Sequence, residues 1–328
     1  MENIFIFLAG VFLFTFVVGK LLEKIRIPWV FAALLLGSLL AINNPWHTIT
    51  SSESFSLLAH LGMYFLLFII GLEIDLEKIK QKGAFIFRST FVIILLEALL
   101  GGVMIHYWFG YDWFLAGLVA LSFATVGEAI LVPILDEFKG INTKFGQTLI
   151  GIGTMDDTIE VAILILVSIL IGAKAPHDIL VMIGSLAVLV ILAVCLTKIK
   201  SVSRRFSFAG VETMFFFVMF VFLLFMGIGY YAEAIPLAAL LAGLSVRNFI
   251  PAQRFEFIEE EIKSIAYGFF VPIFFVWVGV SMDVHYIIGY PLAVIGLVLV
   301  TNGAKILGSY ISARKELGAK ESVLLGIG

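Results

Sequence analysis

The chain has 328 residues, 61% hydrophobic and 14% charged, with a net charge of −3 and a mean hydropathy of +1.11. Soluble globular domains run at about 45–50% apolar and about 25% charged, so these side chains need lipid as their solvent. That excludes a cytosolic enzyme and a secreted disulfide scaffold, and with no basic field it excludes a nucleic-acid binder. Cys195, the one cysteine, lies in an apolar run and permits no internal disulfide.

A helix needs about 20 mostly apolar residues to cross about 30 Å of hydrocarbon. No positive leader or small-residue cleavage site precedes Asn3, so the first apolar run is read as a retained span. In chain order the sequence predicts eleven spans: 4–22, 28–42, 55–76, 84–109, 112–137, 144–172, 178–198, 209–231, 234–250, 262–282 and 287–313, with a twelfth beginning near Glu321. The second and ninth are short and open near Pro28 and Pro236. A proline in a first turn removes an N–H that has no helical partner anyway.

Basic residues fall in alternate connections. They cluster at Lys20–Arg26, Lys78–Arg88, Lys139 and Lys144, Lys198–Arg205, Arg247–Lys263 and Arg314–Lys320, while the intervening connections hold only Lys174. Lys305 is the remaining cation and lies inside a span. Positive charge marks the cytoplasmic side, so the N-terminus is expected outside and the 314–320 loop inside. His47, His60, His106, His177 and His285 fall at or near the outer side, with no zinc-site spacing between them; they read as polar anchors at the interface.

Two stretches match at a constant offset of 208: Ile27-Pro28 with Ile235-Pro236, Gly71 with Gly279, and Asp75 with Asp283. The apolar runs after the two prolines also look alike. The first span then corresponds to the eighth, seven helices on. An odd displacement turns the second copy over, and inverted repeats are typical of secondary transporters. The same offset aligns Glu97 with Lys305 and puts the counterpart of Thr125 near position 333, so the second repeat is expected to run past Gly328.

Ionisable groups at membrane depth cost about 2.5–3.5 kcal/mol each and mark function. Asp156 and Asp157 lie twelve and thirteen residues from the inner end of the sixth span, about 18–20 Å along a helix and near mid-bilayer. Glu160 lies one turn beyond Asp156. Desolvation and mutual repulsion disfavour a doubly ionised pair. Such a pair holds a proton until a cation supplies the charge instead, and a hard cation wants several oxygens. One site taking proton or cation, never both well, is the minimum for exchange. The fifth span supplies the expected backbone partner: Ser122 to Glu128, with Thr125 and Gly127, followed by Pro133, reads as a locally unwound helix. Glu128 is a third site carboxylate, a gate or the partner of a buried cation. Lys305 either snorkels to the inner interface or pairs with Asp156 until cation binds, with Glu97 as the alternative partner. Glu73, Asp75 and Asp283 lie near span ends and read as helix-end or loop contacts.

With these residues in place the chain resembles the monovalent cation:proton antiporters, in the branch that holds bacterial sodium/proton antiporters and glutathione-gated potassium efflux systems. The resemblance covers essentially the whole chain. It rests on RIPWVFAALLLGSLLA (26–41), LGMYFLLFIIGLEIDL (61–76), the broken helix at 122–133, GIGTMDDTIEV (151–161), PLAALLAGL (236–244), FFVPIFFVWVGVSMD (269–283) and Lys305. It implies an all-α polytopic fold: a homodimer of thirteen-helix subunits in which a dimerisation domain flanks a mobile core with two crossed, broken helices. On this chain that assigns 1–76 and 206–284 to the dimerisation domain, 77–172 and 285–328 to the core, and 173–205 to a linker helix, with the core's last two helices missing.

The resemblance implies that Asp157 is the main cation and proton carboxylate, that Asp156 pairs with Lys305, and that Thr125 lines the site. No cofactor is implied beyond the transported Na⁺ or K⁺ and H⁺. The adjacent aspartates look like the electrogenic sodium-exchanging branch. Glu128 and Glu97 add acid that the family pattern does not contain. The expected function is sodium/proton antiport in the inner membrane, with potassium/proton exchange on the same scaffold as the alternative. A cation channel fits less well because the buried lysine obstructs an open cation path. An intramembrane aspartyl protease needs two carboxylates facing across a scissile bond, which neighbours on one helix do not provide.

Overall fold

The computed structural model describes residues 3–25, 27–73, 76–123, 135, 140, 143–153, 155–156, 159, 176–198, 211–250 and 252–327. In chain order the helices are α1 (Ile4–Glu23), α2 (Val30–Ile42), α3 (His47–Thr50), α4 (Glu53–Glu73), α5 (Leu76–Phe109) and α6 (Trp113–Phe123). Residues 144–153 are helical. Then follow α7 (Pro176–Lys198), α8 (Val211–Tyr231), α9 (Ile235–Phe249), α10 (Ala252–Ile265), a π-helical turn (Ala266–Phe270), α11 (Val271–Val280), α12 (Val284–Gly289), α13 (Pro291–Leu317) and α14 (Ala319–Leu325). Among the described residues seven helices are long and apolar enough to span a bilayer, and α2 and most of α9 form shorter apolar helices. Large apolar side chains face outward along them, including Phe5, Leu13, Leu180, Ile191, Leu292 and Leu299. Lipid, not water, accounts for that exposure; the chain is a multi-pass membrane protein.

Local chemistry sets several helix ends. The Asn3 side chain accepts from the amides of Phe5 (2.9 Å) and Ile6 (3.4 Å) and caps α1. Asp112 does the same for Phe114 and Leu115 at the start of α6. Gly318, with φ 85°, closes α13.

Four predicted spans need correction. The third stops at Glu73 and the fourth starts at Leu76. The tenth begins at Ala252, ten residues before its expected start. Its first turns carry Glu256, Glu259, Glu260 and Glu261 and escaped a hydropathy criterion, yet Ile258, Ile262 and Ala266 form one buried stripe. The π turn precedes Pro272, which lacks an N–H and crowds the carbonyl four residues back. The eleventh is divided into α12 and α13 before Pro291. The twelfth begins where expected, in the helix Ala319–Leu325. The fifth span beyond Phe123 and most of the sixth beyond residue 153 lie outside the described residues.

The chain divides into two compact units, Met1–Glu73 with Pro176–His285, and Ile74–Ala175 with Tyr286–Gly328.

In the first unit two helix crossings share one design. α2 crosses α11 at Gly37 and Gly279; α4 crosses α9 at Gly71 and Gly243. A methyl on Gly37 would overlap the Val276 carbonyl, and one on Gly243 would overlap the Phe68 carbonyl. A methyl on Gly279 would meet the Leu34 carbonyl, and one on Gly71 the Leu240 carbonyl. Without a hydrophobic drive between helices in lipid, such close backbone approach is what holds them. The contacts are reciprocal under the repeat. Phe68 and Gly71 map onto Val276 and Gly279 with the offset of 208.

In α2 and α9 the matching register is 206, which aligns Ala32, Ala33, Leu34, Leu35 and Gly37 with Ala238, Ala239, Leu240, Leu241 and Gly243. The prolines mislead by two residues because Pro28 precedes α2 whereas Pro236 lies inside α9. Arg247 Nη1 donates to the Leu72 carbonyl at 2.6 Å, a cation on the C-terminal turn of α4.

In the second unit α5 packs along α13 and α6. Arg88 Nη2 donates to the Ser312 carbonyl at 3.1 Å, Ile93 lies against Gly308, and Met104 and Trp108 lie against Gly296. Position numbers rise along α5 as they fall along α13, so the two run antiparallel. The pair Arg88–Ser312 becomes Gly296–Met104 when each number is shifted by 208. The apolar parts of the two helices, Gly83–Phe109 and Pro291–Leu317, also begin and end 208 positions apart. This is the contact pattern of a two-fold axis between repeat mates.

Candidate functional site

The site is built in the second unit from three helical elements. On α5 the buried face runs through Ser89, Thr90, Ile93, Ile94 and Glu97. Thr90 Oγ1 donates to the Ile86 carbonyl at 3.0 Å and lies 3.4 Å from the Ile152 carbonyl, which ties α5 to the helix carrying the aspartates. That helix buries Gln147, Thr148 and, one turn beyond Ile152, Asp156, which is 4% exposed.

Glu97 is 1% exposed, and neither of its carboxylate oxygens has a hydrogen-bond partner among the described residues. Lys305 Nζ on α13 lies 3.8 Å from Glu97 Oε1, its side chain 17% exposed. Asp156 also acts electrostatically on Glu97. Both Asp156 and Lys305 have further polar or electrostatic partners.

Of the residues singled out in the sequence, the structure therefore brings Glu97, Lys305 and Asp156 into one neighbourhood. Thr125, Glu128, Asp157 and Glu160 lie outside the described residues. Lys305 does not reach for the interface: it stands midway along its span with its ammonium at Glu97. Among the described residues no three His, Cys, Asp or Glu side chains gather as a metal cluster. Thr90 was not anticipated as a link between helices. Its signal was the polar row Thr90 to Glu97 at helical spacing in an apolar span, which singles out a buried face.

Among the described residues, two carboxylates and one ammonium in an apolar interior leave one negative charge when all are ionised. Unpaired charge there is costly. One proton, or one monovalent cation, balances it. The arrangement is suited to holding either.

The family model described as "Sodium/hydrogen exchanger, transmembrane" matches residues 10–328. The chain belongs to this family. Among curated relatives, the Probable Na(+)/H(+) antiporter 3 of Methanocaldococcus jannaschii is 26% identical over 299 residues, covering 87% of this chain and 73% of that protein. The Probable Na(+)/H(+) antiporter GerT of Bacillus cereus is 24% identical over 326 residues, covering 98% and 85%. The glutathione-regulated potassium-efflux system protein KefC of an Enterobacter strain is 27% identical over 283 residues, covering 80% of this chain and 44% of that one. Among solved structures, the sodium proton antiporter MjNhaP1 from Methanocaldococcus jannaschii at pH 8 superposes with a TM-score of 0.71 at 18% identity, covering 98% and 81%. This family member therefore has the all-helical antiporter fold, and its family is one of transporters.

Proposed function

We propose that this chain exchanges sodium for protons across the inner membrane by alternating access. The observation that carries the reading is Asp156, buried on its helix and followed in sequence by Asp157, with the Lys305–Glu97 pair in the same unit. Asp157 takes the cation or the proton, with Thr125 and broken backbone near it supplying neutral oxygens. Asp156 and Lys305 adjust the local charge as the occupant changes. The second unit is the moving core and the first the dimerisation domain of a homodimer, with the N-terminus outside. The names of the relatives from Methanocaldococcus jannaschii and Bacillus cereus favour sodium; the KefC relative gives weaker support to potassium on the same scaffold. The test is proton movement in proteoliposomes driven by Na⁺, Li⁺ or K⁺ in parallel. A Na⁺- or Li⁺-driven signal without a K⁺ signal is the expected result. A response to K⁺ alone transfers the reading to potassium/proton exchange, and ion currents without proton coupling overturn antiport.

A further inference from the structure

We propose that Glu97 is a positioning residue that sets cation affinity by holding the Lys305 ammonium away from the aspartates, an inference that rests on the antiport reading above. Glu97 is buried at the centre of a span, without a hydrogen bond to either oxygen among the described residues, and faces Lys305 at 3.8 Å. A charge-assisted hydrogen bond between such groups would be about 2.7–2.9 Å long. The pair is therefore a loose, through-space one, and Lys305 has further partners besides Glu97. The backbones on either side are not loose. Ile93 against Gly308 and Arg88 on the Ser312 carbonyl flank the pair on one side, and Met104 against Gly296 on the other, so the Glu97 carboxylate stays beside the Lys305 stem.

Among the described residues, the charged groups that act on Glu97 from the elements packed around it are Lys305 from α13 and Asp156 from the helix beyond residue 144; the side chains described on α6 bring none. On this proposal one ammonium serves carboxylates on two helices. A cation entering at the aspartates displaces Lys305 from them, and Glu97 gives the displaced ammonium a counter-charge inside the membrane. With Glu97 neutral, Lys305 turns more strongly to the aspartates and competes harder with the cation.

The experiment compares wild type with Glu97→Gln, Glu97→Asp, Lys305→Gln and the double variant Glu97→Gln/Lys305→Gln. Two readouts are used: the KM for Na⁺ in proteoliposomes, and the Na⁺ concentration giving half-maximal thermal stabilisation in detergent, which needs no turnover. Glu97→Gln is expected to raise both about tenfold, equivalent to about 1.4 kcal/mol, with the effect on KM larger than that on maximal rate. Glu97→Asp recovers most of the affinity. Added to Lys305→Gln, the Glu97→Gln change shifts the stabilisation midpoint less than about twofold, because no ammonium remains to be held. Should Glu97→Gln fail to fold, Glu97→Asp carries the test, with a smaller rise expected from its shorter reach. Unchanged Na⁺ affinity in the folded variant, or an equal shift with and without Lys305, overturns the inference while leaving antiport standing. A wild type that moves no protons on Na⁺ overturns both.

Discussion

Glu97 and Lys305 face each other across 3.8 Å, and they are separated in sequence by the same 208 positions that separate Gly71 from Gly279. The residue at one place in the first repeat thus meets the residue at the same place in the second. Only a pair lying on the axis that relates the repeats can do this. The exchange of Arg88–Ser312 into Gly296–Met104 across that axis shows that the α5–α13 contact obeys it on both sides of the pair. Symmetry brings the two positions together, and the sequence breaks the symmetry chemically by placing an acid in one repeat and a base in the other.

That relationship predicts an asymmetric mutational response. Lys305→Ala leaves a buried carboxylate without its 3.8 Å counter-charge and is expected to destabilise the protein by about 3–5 kcal/mol. Glu97→Gln in the same chain removes the stranded charge and should recover most of the loss. Thermal unfolding in detergent measures both. A double variant as unstable as Lys305→Ala alone would mean that the charges do not act on each other.

Asp157→Asn retains the size and polarity of the side chain but not its negative charge. Na⁺- or Li⁺-driven proton movement is expected to fall to the background of empty liposomes, with protein yield unchanged. Undiminished exchange in Asp157→Asn would remove that residue from the site.

The glycine crossings predict position-specific damage from a single methyl. Gly71→Ala or Gly243→Ala drives a methyl into a neighbouring backbone carbonyl, and is expected to cost about 1–3 kcal/mol. Gly10→Ala on α1 has nothing within 4 Å to meet and should be neutral or stabilising by about 0.5–1 kcal/mol. Detergent melting of the three variants separates a crowded crossing from a general intolerance of alanine.

Arg247→Gln removes both the 2.6 Å hydrogen bond to the Leu72 carbonyl and the stacking of the guanidinium 5.5 Å from the Phe255 ring. A loss of about 1–3 kcal/mol is expected, with Arg247→Lys intermediate because a lysine retains the charge at the end of α4 but not the planar fork. Hydrogen exchange at the α4 C-terminus should quicken in the same order.

Topology is testable through the single cysteine. In a Cys195→Ser background, His177→Cys and Lys315→Cys place thiols at exposed positions expected on opposite faces. A membrane-impermeant maleimide added to intact cells should label the first and spare the second; the reverse pattern would invert the assigned orientation.

Much of the fold was legible in the sequence because membrane insertion acts on local properties. A helix in lipid must satisfy its own backbone and show an apolar surface, so hydropathy alone locates α1, α7 and α8 to within two residues. Where a helix is amphipathic, as at Ala252–Ile265, that criterion fails, because burial of Ile258 and Ile262 depends on neighbours distant in sequence. The repeat was legible from prolines and glycines, yet the prolines set the α2–α9 register two residues off. A proline at a helix start reports where a helix opens, not where it is crossed.

By itself the sequence determined that the chain spans a membrane many times, that its halves repeat, and that acids and one lysine lie at mid-span. Each follows from composition or spacing along one helix. The tertiary structure alone decided that the helices cross at paired glycines and that Lys305 meets Glu97. Those outcomes depend on the rotation and register of helices far apart in the chain, set by packing between surfaces rather than by any local property of either one.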